Sequence, residues 1–154
     1  MQSMQKTITS TQDMINFGTQ IGRLLRGGEF IELVGDIGAG KTTLTKGIAV
    51  GMNITDTIQS PTFTISRVYD SPSKLRLVHY DFYRLTDAGI MADELAETAS
   101  DEDVVTVIEW GDVVASVRPA DYLQLQFSSP QETKRLVIIS AYGPRHQALQ
   151  DELK

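Results

Sequence analysis

A glycine-rich octapeptide constrains this chain more than any other feature. Residues 35–42 read GDIGAGKT, the full G-x-x-x-x-G-K-[ST] pattern, and Thr43 extends it. Its flanks give the pattern meaning. Residues 30–34 (FIELV) are short and mostly apolar, as a buried strand is, and residues 41–50 read as a helix. A strand turning sharply into a helix leaves unpaired backbone N–H groups at the positive end of the helix dipole. Gly35, Gly38 and Gly40 let the backbone turn and approach a ligand with no Cβ in the way. Asp36, Ile37 and Ala39 complete a loop whose successive N–H groups converge on phosphate oxygens. Lys41 then supplies a mobile charge for β and γ phosphates, and the Thr42 hydroxyl is the expected Mg²⁺ ligand.

The chain around this loop has one domain's length, 154 residues, enough to bury a sizeable core. It has no cysteine, which excludes disulfides, Cys-ligated metals and thiol nucleophiles. Its longest apolar run is four residues, 136–139, and its first residues carry no apolar signal core. The expectation is a cytoplasmic protein with no membrane segment. The formal net charge of -6 argues against a broad nucleic-acid surface. The acids are uneven: between residues 86 and 117 there are nine acids and no base. Such a run reads as a solvated face or as a docking surface for a basic partner.

Further elements follow from periodicity. Ser10 or Thr11 caps a helix whose Met14, Phe17, Ile21, Leu24 and Leu25 form a core stripe, ended by Gly27 and Gly28. Residues 60–69 and 75–80 read as a hairpin, 91–99 as an acidic helix, and 104–108, 122–127 and 136–140 as strands. Residues 146–154 read as a short helix or frayed tail. The alternation predicts a single α/β domain over 1–154, a P-loop NTPase-like three-layer fold around a small mixed, mainly parallel sheet.

A phosphate loop names a nucleotide but no reaction. Asp81 and Glu109 each end a strand-like segment, and either fits the acid that holds Mg²⁺. His79 reads as a hydrogen-bonded structural residue sooner than a catalyst. Trp110 is core or lies beside the site, and Arg84 contacts phosphate or pairs with an acid. None of the six lysines sits in the N/T-K-x-D element that reads guanine, which favours ATP over GTP. No arginine cluster suggests the lid of a small-molecule kinase.

The motifs GDIGAGKTT at 35–43, SPTFTI at 60–65, HYDFYRL at 79–85 and IEWGD at 108–112 together resemble the bacterial TsaE (YjeE) family. That resemblance implies an ATP hydrolase (ATP and water to ADP and phosphate) with a small α/β fold. It implies protein partners TsaD and TsaB, which transfer a threonylcarbamoyl group to the adenosine next to the anticodon of tRNA. The partners would contact most of the tRNA. By position, Lys41 matches the phosphate-binding lysine, Thr42 the Mg²⁺-binding hydroxyl and Thr43 a further nucleotide contact. Asp81 matches the Mg²⁺-holding acid. Glu109 and Trp110 match a pair near the γ phosphate, with Glu109 a water-orienting base or Mg²⁺ ligand. Thr62 matches a phosphate- or Mg²⁺-sensing switch residue. Gly111 stands where proline is common. The alternatives are a small-molecule kinase and a nucleotide-gated binding module without useful hydrolysis. Because the acid-only stretch contains Glu109 and Trp110, the resemblance moves it toward the docking reading, with Asp101, Glu102 and Asp103 at its centre.

Overall fold

The computed structural model describes residues 2–35, 40–59, 65–83, 85 and 89–154. In chain order its elements are β1 (Gln2–Ile8), α1 (Thr11–Leu24), β2 (Phe30–Val34), α2 (Lys41–Gly51), β3 (Ser66–Asp70) and β4 (Arg76–Asp81). They continue with α3 (Gly89–Ala99), β5 (Val104–Glu109), a 3₁₀ segment (Gly111–Val117), β6 (Tyr122–Gln131), β7 (Lys134–Tyr142) and α4 (Pro144–Glu152). The strands form one sheet in the order β1-β7-β6-β2-β5-β4-β3. Its centre, β6-β2-β5-β4, is parallel, and both margins are antiparallel. The expected hairpin is β3–β4.

Every residue of β5 is buried, which its β-branched run anticipates. Met14, Phe17 and Ile21 of α1 and Leu44 and Ile48 of α2 pack one face of the sheet, against Ile31, Leu33, Val105, Val107, Leu123 and Leu125. Leu95 of α3 and Val114 of the 3₁₀ segment cover the other, against Phe30, Val78, Tyr80 and Ile108. These are the three layers expected. Among the described residues no helix is long and apolar enough to cross a membrane.

The two helices on the first face touch backbone to backbone. Gly18 and Gly22 of α1 meet Gly47 and Gly51 of α2. A Cβ added at Gly22 would lie 2.2 Å from the Ile48 carbonyl oxygen, and one at Gly51 2.3 Å from that of Thr19. Start and stop signals hold α1 in place. The Ser10 hydroxyl accepts from the Asp13 N–H, and the Asp13 carboxylate accepts from the backbone and hydroxyl of Thr9. The helix ends at Leu24, a little before Gly27 and Gly28, whose positive φ values turn the chain into β2.

Three features exceed the sequence expectations. β1 was not foreseen, since QSMQKTI is polar and its single buried side chain is Ile8. It forms because β7 offers a complete ladder from Gln2↔Ala141 to Ile8↔Arg135. The β6–β7 hairpin runs further at its turn end, with a register irregularity between Ser128 and Gln131 that accommodates Pro130. Finally, the last residues are a docked helix. His146, Leu149, Gln150 and Leu153 are buried, and the Gln150 amide donates to the carbonyls of Ile139 and Gln2.

Candidate functional site

The parallel centre of the sheet fixes where a ligand can bind. β2 and β5 are adjacent parallel strands, and β2 continues into α2 on one face while β5 continues into the 3₁₀ segment on the other, so a crevice opens beyond their carboxyl ends. The glycine-rich loop leaves β2 at that point. Gly35 (φ +146°) and Gly40 (φ +105°) bound it. At Gly35 a Cβ would meet the Phe127 carbonyl oxygen at 2.9 Å, so a side chain there is excluded by conformation and space alike. Asp36, Ile37, Gly38 and Ala39 lie outside the described residues, as do Ser60–Thr64 with Thr62, and Arg84. Gly40 caps α2 without any side-chain hydrogen bond, so among the described residues the first-turn N–H groups of α2 have no capping side chain. Thr42 and Thr43 stand in that turn, both half-buried.

Lys41 is 5% exposed. Its ammonium donates to the Gly35 carbonyl oxygen at 2.6 Å, lies 3.7 Å from Glu109 Oε1, and sits 4.5 Å from the centre of the Trp110 ring. It is thus held across the mouth of the loop by a carbonyl, a carboxylate and an aromatic face.

The two candidate acids meet. Asp81 ends β4 and Glu109 ends β5, and they are register partners on adjacent parallel strands. The strand pattern alone left them as alternatives and the resemblance gave each a role; the fold brings both beside Lys41. Glu109 is buried, with Oε2 2.7 Å from His79 Nε2. Asp81 accepts the Tyr83 N–H at 3.0 Å, and its own N–H donates to Ile65 O, tying the start of the β3 segment to the site. Burial pushes the Asp81 carboxyl above its ordinary range; the Tyr83 hydrogen bond opposes this and the Glu109 charge adds to it.

Trp110 follows Glu109 in the left-handed region (φ +59°, ψ +47°), unusual for a large side chain. Its ring packs on Tyr83 with centroids 5.0 Å apart. The next residue has no room for a side chain: a Cβ on Gly111 would lie 2.6 Å from Ile108 Cδ1 and 2.8 Å from Glu32 Oε2. Glu32 is itself fixed by Arg118 and Gln124. A part-buried ion pair between Arg118 and Glu32 therefore anchors the segment that aims Trp110.

Sequence reasoning identified no base-side pocket. A cavity of about 340 Å³ opens beside the loop, on the α1 side, lined by Ser10, Thr11, Met14, Gly40, Thr43 and Arg135 among others. Three distant stretches of chain build it, and no local pattern could have signalled it.

The acid-rich stretch does not adjoin the site at Asp101, Glu102 and Asp103. Asp101, Glu102 and Asp103 precede β5, at the opposite end of the sheet from Lys41 and Glu109. Each already has a basic neighbour within the chain: Arg76 at 3.7 Å, Arg145 at 3.0 Å and Lys74 at 3.4 Å respectively. Proximity in sequence to Glu109 did not mean proximity in space, because β5 runs the length of the sheet between them.

Comparison with known proteins identifies the company this site keeps. A family model described as threonylcarbamoyl adenosine biosynthesis protein TsaE matches residues 8–137. The chain is 44% identical over 110 residues to the tRNA threonylcarbamoyladenosine biosynthesis protein TsaE of Treponema pallidum, covering 71% of this chain and 80% of that protein. It is 37% identical over 130 residues to the same-named protein of Bacillus subtilis, covering 82% and 78%. Its fold matches the crystal structure of Bacillus subtilis YdiB with a TM-score of 0.82 at 27% identity, over 99% of this chain and 94% of that one. A family match spanning most of the chain, with a glycine-rich loop, a buried lysine and two strand-end acids at its centre, leads to one conclusion: this chain belongs to the TsaE family.

Proposed function

We propose that this chain is a phosphate-loop ATPase that binds Mg-ATP and hydrolyses it to ADP and phosphate. Its hydrolysis would support a TsaD–TsaB partner pair in threonylcarbamoyl transfer to tRNA, in the cytoplasm. The observation that carries the reading is the convergence of Lys41, Asp81 and Glu109 on the mouth of a glycine-bounded loop at a helix N-terminus. The pathway rests on the names of the relatives, which are proteins of tRNA threonylcarbamoyladenosine biosynthesis.

The residues present fit both ligands. An uncapped helix start and a buried ammonium suit a polyphosphate. An Asp carboxyl held above its ordinary range by burial and a second carboxylate is what a hard dication would reverse. Among the described residues no group of three or more His, Asp or Glu could hold a metal alone. Mg²⁺ does not require such a cage, since it takes one or two carboxylates together with substrate phosphates. Thr42 and Asp81 would hold it, with Glu109 beside them.

In the mechanism, Mg²⁺ supplies charge neutralisation on the β and γ phosphates. The loop's N–H groups and Lys41 hold the phosphates and stabilise charge developing on their oxygens. Glu109, buried beside Lys41, orients the attacking water. Asp81 N–H, bonded to Ile65 O, links the acid to the segment carrying Thr62, whose release after cleavage would change partner affinity.

ATP cleavage measured with and without the TsaD–TsaB pair and tRNA tests the proposal. Phosphate release that depends on the pair supports it. A phosphorylated small-molecule acceptor would instead indicate a kinase, and nucleotide binding with no single-turnover cleavage a nucleotide-gated module. An unchanged rate in Lys41→Ala would remove the mechanism.

A further inference from the structure

The site contains one buried polar residue to which the mechanism above gives no task. His79 is completely buried, two residues before Asp81 on β4. Its Nε2 lies 2.7 Å from Glu109 Oε2, far closer than the 3.7 Å between Lys41 and the other oxygen of the same carboxylate. Lys41 is within ion-pair reach of Glu109 but beyond hydrogen-bond length, so the contact that fixes the rotation of the Glu109 carboxylate is with His79.

We propose that His79 is the positioning residue of the site: its Nε2–H holds Glu109 Oε2 so that Oε1 faces the phosphate side of the crevice. This rests on the ATPase reading above. A carboxylate only accepts, so the proton of this bond belongs to Nε2. Among the described residues His79 Nδ1 is buried with no hydrogen-bond partner, so no bond there competes for the orientation of the ring. Arg67, its register partner on β3, has only donors and cannot draw the proton away. The consequence appears on loading. Lys41 must turn from Glu109 and Gly35 toward the phosphates, which leaves His79 as the described group bonded to the carboxylate. Glu109 then keeps its aim because its orienting contact does not depend on the residue that moves.

The test uses the full chain with its partner pair. Nucleotide affinity is read from the emission of Trp110, the single tryptophan, and cleavage from single-turnover ATP hydrolysis. His79→Leu should bind nucleotide as the parent does yet cleave about 10–100-fold more slowly, the range typical for loss of an outer-shell partner. His79→Gln, whose amide can present an N–H near the Nε2 position, should recover most of the rate. In a Glu109→Gln background, His79→Leu should cost nothing further. Equal rate losses in the Leu and Gln variants, or losses that multiply in the double variant, would overturn the proposal. If the parent itself cleaves no ATP, the ATPase reading fails, and the pairing is then decided separately by ¹⁵N NMR of the histidines. A proton on His79 Nε2 whose signal shifts in Glu109→Gln supports it; an unprotonated Nε2 overturns it whatever the enzymology shows.

Discussion

Gly22→Ala sets two physical effects of opposite sign against each other. Gly22 lies within α1, and by helix propensity alone an alanine there stabilises by about 1 kcal/mol. The packing says the reverse. The new Cβ would sit 2.2 Å from the Ile48 carbonyl oxygen and 2.9 Å from Gly51 Cα, both backbone atoms that cannot rotate away. Relief requires α1 and α2 to separate by roughly 1 Å, and a gap of that size forfeits a quarter to a half of each dispersion contact across it. Phe17, Ile21, Leu44 and Ile48 line that interface and are all buried. Overpacking of this kind costs about 1–3 kcal/mol and occasionally more, and backbone neighbours put Gly22 at the upper end. Net of propensity, we expect a loss of about 2 kcal/mol, or roughly 4–8 °C in Tm for a chain of this size. Urea titration followed by circular dichroism measures it, with Gln20→Ala on the exposed side of α1 as a control within about 0.5 kcal/mol of the parent. A Gly22→Ala protein as stable as the parent, or more so, would refute the backbone-contact argument.

Lys41→Ala should weaken nucleotide binding about 10–100-fold, the loss expected when a charged hydrogen-bond donor is removed; titration of Trp110 emission checks this. Gly111→Ala should cost about 1–3 kcal/mol and alter Trp110 emission, because its Cβ would displace Ile108 or Glu32; an unchanged spectrum and midpoint would count against that steric reading. Acid should loosen α4. His146 Nε2 accepts the Phe30 N–H while Nδ1 meets Asp121 at 2.6 Å, and burial holds its pKa below the ordinary 6.5 despite that carboxylate. Below pH 6.5 the unfolded chain therefore binds the proton more readily, and stability falls with pH by at most about 1.4 kcal/mol per unit. His146→Gln should remove that slope between pH 6.5 and 5, whereas an undiminished slope would assign it to another group.

The glycine-loop end of the fold was legible because its signals are local. A loop of fixed spacing, an apolar strand before it and two strand-end acids can each be read within a few residues. The features that escaped depend on pairings across the chain. The periodicity of α1 assigns no role to Gly18 and Gly22, and their meaning appears only once Gly47 and Gly51 face them. His79 read as a hydrogen-bonded residue without a named partner, because Glu109 is thirty residues away in sequence and only the parallel register of β4 and β5 makes them neighbours. The acids at 101–103 looked free of bases and close to Glu109, whereas their basic neighbours come from positions 74, 76 and 145 and the length of β5 separates them from the site. β1 carried no apolar signal, since its stability comes from a backbone ladder more than from burial.

That ladder has a consequence for synthesis. β1 is made first of the seven strands, and its partner β7 is made last. While the chain emerges from the ribosome, β1 must remain unpaired through translation of the whole sheet, and the Gln150 amide that secures Gln2 arrives later still. An apolar strand left waiting in that way would invite pairing with other nascent chains. QSMQKTI, almost devoid of apolar side chains, can wait in water without that hazard. The polarity that conceals the strand from sequence reading thus suits an edge that closes only after β7 has been made.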